Sequence, residues 1–198
     1  MKKKLFAMLL AVVMVCGGCG KETAEQEDGQ STQISTELDG ETEQEAEKLQ
    51  EALQTYAAEL TAKDAAAAGM YTIQDGKVAG GQEHWDDFAA GKADAVIVCQ
   101  FSKNGGAMLD SVKRLAGGGY LVVTDVTRDG YEYTAKEDYT RKVYECLTVL
   151  EDFALEEGSA AHTVCVLSNE ADLDADTFRT YWNEMTMDAH QVYPLFIL

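Results

Sequence analysis

Between residues 95 and 130 the chain alternates apolar, β-branched runs with glycine-marked turns, and that alternation limits the folds open to it. Ala95-Val96-Ile97-Val98-Cys99-Gln100-Phe101 is apolar on both faces, the pattern of a central strand buried on two sides. Asn104-Gly105, the dipeptide favoured in tight hairpins, follows it and is extended by Gly106. Gly117-Gly118-Gly119 and Asp129-Gly130 bracket a second such run, Tyr120 to Thr127. The stretch between, Ala107 to Ala116, suits a helix through Met108, Leu109, Val112 and Leu115, but its place between two turns predicts a strand.

The rest of residues 70–198 completes a domain of ordinary size. Met70 to Ile73 is a short extended piece ending in a turn at Asp75-Gly76. Gln82 to Ala90 reads as a helix with Trp85, Phe88 and Ala89 on one face and Gly91 as its stop. Residues 142–153 stay open between strand and helix, because Tyr139, Val143, Cys146 and Leu150 recur at helical spacing. His162 to Leu167 reads as a strand, and Thr177 to Ala189 as a helix carrying Phe178, Tyr181, Trp182 and Met185. Leu195 to Leu198 is a last strand or a tail plugging the core, since exposing it would be costly. Hairpins in series beside segregated helices predict an α+β fold. We expect a mainly antiparallel sheet of about five to six strands with two or three helices packed against it.

Upstream, Leu49, Leu53, Tyr56 and Leu60 form one helical stripe. Residues 43–69 are therefore a helical segment, serving as a stalk or docking on the domain. Residues 20–42 are rich in Glu, Gln, Thr, Ser and Gly and hold no aromatic residue, so residues 19–42 read as a disordered acidic tether.

The N-terminus carries Lys2-Lys3-Lys4, an apolar run from Leu5 to Val15, and Cys16-Gly17-Gly18-Cys19. The run is too short for the roughly 20 residues a spanning helix needs, and its order is that of an export signal. The segment resembles a bacterial lipoprotein signal, in which cleavage precedes a lipid-modified cysteine that follows small residues. Gly17 and Gly18 satisfy that for Cys19, whereas Val15 disqualifies Cys16. The resemblance implies a signal peptide over residues 1–18 and a lipidated Cys19. It also implies a lipid-anchored protein on the extracytoplasmic face of the cell membrane. The alternative is an ordinary secretory signal with incidental cysteines.

A second resemblance covers about residues 71–167. Gly76-Lys77-Val78, Trp85-Asp86-Asp87-Phe88, Gly91-Lys92-Ala93-Asp94, Val96-Ile97-Val98, Gly105-Gly106 and Asp125 through Gly130 stand in a recognisable order. They resemble a family of small Gram-positive lipoprotein domains of unknown function. That resemblance implies a β-rich fold and an envelope address, with no activity to carry over.

Charge narrows the partners. The formal charge is −19; loss of residues 1–18 removes three lysines and no acid, leaving −22. A chain this acidic lacks the cationic patches that bind nucleic-acid phosphate. An anionic membrane would repel it, so adhesion must come from lipid on Cys19. If Cys19 carries lipid, Cys99, Cys146 and Cys165 remain. Cys146 and Cys165 flank a hairpin turn at Glu156-Glu157-Gly158-Ser159, which favours a disulfide between them; three buried free thiols are the alternative.

Catalytic signatures do not emerge. Gly117-Gly118-Gly119 lacks the Lys-Ser/Thr and the strand-to-helix context of a phosphate loop and reads as a turn. Asp172, Asp174 and Asp176 alternate like the start of a calcium loop. Thr177 and Asn183 stand where that loop needs Gly and Glu, so a helix cap is the better reading. His84, His162 and His190 have no second ligand at i+2 or i+4, and Asp86-Asp87 read as a solvated face. No metal and no cofactor is expected. Two functions follow: a non-enzymatic module binding another envelope protein or cell-wall component, through its sheet or through Trp85, Tyr120, Tyr131 and Tyr133, or an envelope hydrolase assembled from distant carboxylates and histidines.

Overall fold

The computed structural model describes residues 38–198 except 104, 130–137 and 157; residues 1–18, expected to be a signal peptide, Cys19, most of the expected tether, Tyr131 and Tyr133 lie outside the described residues. The fold is α+β, with mainly antiparallel pairing. In chain order it comprises α1 (Gly40–Gln54), α2 (Ala62–Ala67), β1 (Tyr71–Gln74), β2 (Lys77–Gly80), α3 (Gln82–Ala89) and β3 (Ala95–Phe101). β4 (Ala107–Arg114), β5 (Tyr120–Arg128), β6 (Tyr139–Tyr144), β7 (Cys146–Phe153), β8 (His162–Ser168), α4 (Ala175–Glu184) and β9 (Val192–Ile197) follow.

Two sheets form where one is expected. Six strands run in the order β2-β1-β3-β4-β5-β6, and three more in the order β7-β8-β9. β1 lies parallel to β3, the helix α3 making the connection, and the other pairs are antiparallel. The chain passes between sheets at Glu145, whose amide donates to Asn169 Oδ1 at 3.0 Å. Ala107–Arg114 is a strand as expected, and residues 142–153, left open by the sequence, belong to β6 and β7.

The double-sided apolar pattern of β3 is explained by its place. Val96 and Val98 face a core shared with Cys165, Leu167, Leu195 and Phe196 of the small sheet, closed by Trp85 and Phe88 of α3. Cys99, with Ile97 and Phe101, faces a second core with Leu109, Leu121 and Val123 beneath Ala46 and Leu53 of α1. The far face of the small sheet packs Val164 and Val166 against Phe178 of α4. The layers are thus α1 and α2, large sheet, small sheet with α3, then α4.

Three local expectations are revised. Residues 43–69 are two helices, broken between Gln54 and Ala62, and α1 docks on the large sheet. The last helix ends at Glu184, capped by Met185 in the left-handed region (φ 56°), so His190 lies beyond it. The helix α1 starts at Gly40, inside residues 19–42, which the sequence predicts to be a disordered tether. At the entrance to α3, Gly81 has φ 73°, and a Cβ there would lie 2.0 Å from the Met70 carbonyl oxygen. No other residue fits that crossing.

Candidate functional site

The docking of α1 and the short α2 leaves a cleft at the flank of the large sheet. Leu49 and Ala52 come from α1, while Ala68, Gly69 and Met70 come from the turn into β1. His84 and Asp87 come from α3, and the floor is β3 with Ser111 of β4. Its volume is about 350 Å³, within the roughly 300–1,000 Å³ of small-molecule sites. The lining is mostly apolar, with three polar side chains. His84 and Asp87 lie three apart on α3 and so share a helix face. Gly69, at φ 81°, lets the imidazole close over the turn, since a Cβ there would come 3.2 Å from His84 Nε2.

The polar groups do not form a catalytic relay. The acid within 4 Å of the His84 ring is Glu83, at 3.8 Å, and Asp87 accepts from Lys92 Nζ at 3.1 Å. Asp86 faces a different partner, accepting from Gln82 at 2.8 Å, as expected for adjacent residues on a solvated face. The arrangement can hold an apolar body and hydrogen-bond one polar end.

The other sequence candidates scatter. Trp85 is buried and stacks on Tyr71 with ring centroids 5.4 Å apart, and Tyr120 packs edge-on to Phe88 at 6.2 Å. Neither forms an exposed patch. His162 Nδ1 lies 3.2 Å from the Leu198 carbonyl. His190 stacks on Tyr181 at 3.8 Å, and both approach Glu170 Oε1, at 3.6 and 2.9 Å respectively. Asp174 caps α4 by accepting from the Thr177 amide at 2.8 Å, which holds its carboxyl below the usual range. Asp176 accepts from Arg179 at 2.6 Å. No group of three potential metal ligands occurs among the described residues.

Cys146 and Cys165 are free thiols, as is Cys99, which corrects the favoured disulfide. Register supplies the reason: Cys146 pairs with Ser168 and Cys165 with Val149, so the two cysteines stand three rungs apart. Cys165 also faces the inter-sheet core beside Leu167, while Cys146 points to the opposite face. Burial pushes the Cys99 and Cys165 thiols up to about 12.

One polar cluster escapes the motif search. Asp110 of β4 is fully buried between the sheets, where its Oδ1 accepts from Thr124 Oγ1 at 2.6 Å and from Tyr193 Oη at 2.8 Å. Its Oδ2 has no hydrogen-bond partner among the described residues. Burial raises its pKa to about 6, against the pull of those two hydrogen bonds. The sequence signal is an acid at a core position of the alternating run Leu109-Asp110-Ser111-Val112. Beside the cluster, Thr124, Thr140, Lys142, Tyr144 and Tyr193 line a hole of about 30 Å³, room for about one water.

Comparison of the chain with protein-family models, with curated proteins and with solved structures finds no match in any of the three.

Proposed function

We propose that this is a lipid-anchored extracytoplasmic protein, held by acyl chains on Cys19, that works as a non-enzymatic binding module. The resemblance to lipoprotein signals supports the address. The apolar cleft between α1, the α2–β1 turn, α3 and β3 carries the binding reading. It is concave and of ligand size, with few polar groups, while the histidines of the described residues lack the geometry of a base held by an acid. The occupant is a component of the envelope. A hydrolase reading draws on one observation, that Ser111, His84 and Asp87 line the same cleft.

Two measurements test this. Mass spectrometry of the mature N-terminus is expected to find an acylated Cys19; an unmodified cysteine, or cleavage elsewhere, ends the anchor reading. Native mass spectrometry of protein purified from the envelope is expected to show a co-purifying small molecule that Ala52→Trp and Ala95→Trp both exclude. Ester or amide turnover that His84→Ala abolishes would instead establish the hydrolase.

A further inference from the structure

We infer that the cleft takes an apolar molecule bearing one protonated primary amine; this rests on the binding reading above. The body of the ligand lies on Leu49, Met70 and Ile97. Its ammonium sits at the mouth, where the Asp87 carboxylate and the His84 imidazole lie on one face of α3.

Charge selects among the alternatives. Among the described residues the cleft lining contains no Lys or Arg, and Lys92 at its mouth is already paired with Asp87 at 3.1 Å, so a carboxylate or phosphate headgroup would find no uncommitted cation and would approach a protein of formal charge −19. A wholly apolar occupant would displace part of the water at the Asp87 carboxylate and add no donor beside Lys92. A quaternary ammonium needs an aromatic cage, and no Phe, Tyr or Trp among the described residues lines this cleft. A primary ammonium donates up to three hydrogen bonds, which suits an exposed carboxylate, an imidazole and the solvent at the rim. Lys92 now occupies Asp87, but both side chains are more than half exposed, and such pairs exchange readily. Lys92 in effect marks the cation position that a ligand amine would take.

The test uses the full chain with Cys19→Ser, so that no attached acyl group competes, and three probes of equal length: n-decylamine, n-decanol and n-decanoate. Calorimetry and the methyl resonances of Leu49, Met70 and Ile97 report binding. Decylamine is expected to bind with a Kd at least tenfold below that of decanoate, and to shift all three methyls. Asp87→Asn is expected to remove most of that preference. Ala95→Trp and Ala52→Trp, on separate walls, are each expected to abolish binding with the remaining methyl spectrum intact. Equal or reversed ranking, or a preference that survives Asp87→Asn, overturns the amine assignment and leaves the cleft as a site. Failure of all three probes, or binding indifferent to both tryptophans, overturns the site itself.

Discussion

Asp110 is the residue whose environment departs furthest from its chemistry. Its side chain is fully buried, one oxygen takes two hydroxyl donors, and the other takes none among the described residues. Burial raises the folded pKa from 3.8 to about 6. The folded state therefore holds this proton more tightly than the unfolded chain. The resulting stabilisation is complete below about pH 3.8 and is lost as pH rises toward and through about 6. A shift of that size corresponds to roughly 3 kcal/mol. Asp110→Asn keeps an acceptor for Thr124 and Tyr193 and cannot ionise. The stability difference between wild type and Asp110→Asn, from urea unfolding at each pH, is expected to move in favour of Asn by that order between pH 4 and 7. A difference flat with pH would refute the assignment. An acid in a core position is visible in sequence. That its partner is Tyr193, 83 residues on, is not, because the hydrogen bond joins two sheets.

At the level of elements, α1 shows how a helix with a narrow apolar stripe is held. Lys113 of β4 and Arg141 of β6 pair with its Glu45 and Glu43, and Arg141 also donates to Gln50. Arg128, at the end of β5, donates to the carbonyls of Leu53, Tyr56 and Ala57 at 3.1, 2.9 and 2.9 Å. Those acceptors are left over where a helix ends, and a cation there also complements the helix dipole. The same guanidinium pairs with the buried Asp125. Removing it leaves that carboxylate uncompensated, so Arg128→Ala is expected to cost about 3 kcal/mol, and amide exchange in α1 should quicken. Lys113→Met breaks a partly exposed pair and should cost less than about 1 kcal/mol. Equal effects from the two substitutions would show that Arg128 is not the main clamp. The apolar stripe left docking undecided, since the polar groups that clamp α1 stand 68 to 98 residues away along the chain. Caps were more legible. Asp174 and the glycine after α3 act through neighbours a few residues off, and both lie where the sequence puts them.

At the scale of the molecule, three packed cores make covalent bracing unnecessary. The proposed exterior address would permit a disulfide, but strand register keeps Cys146 and Cys165 apart. The melting temperature is expected to be unchanged by reductant. In a thiol titration of the folded protein, Cys146, partly exposed, should react while buried Cys99 and Cys165 wait for unfolding. A reductant-dependent melting temperature would restore the bridge. The small sheet also guards its edges: β9 carries Pro194, and β7 breaks register near Asp152, which has φ 53°. Both features discourage pairing with another chain. The sequence by itself determined what is local. Its alternation and glycine turns specify β3, β4 and β5, Gly91 stops α3 and an aspartate cap starts α4, and its β-branched runs mark the strands buried on both faces. Tertiary structure alone decided the split into two sheets, the parallel β1–β3 pair, the separation of the cysteines, the burial of Asp110 and the cleft beneath α1. The physical reason is one of range. Periodicity records which face of an element is buried, whereas the identity of what covers that face depends on pairings between distant segments, which no local pattern encodes.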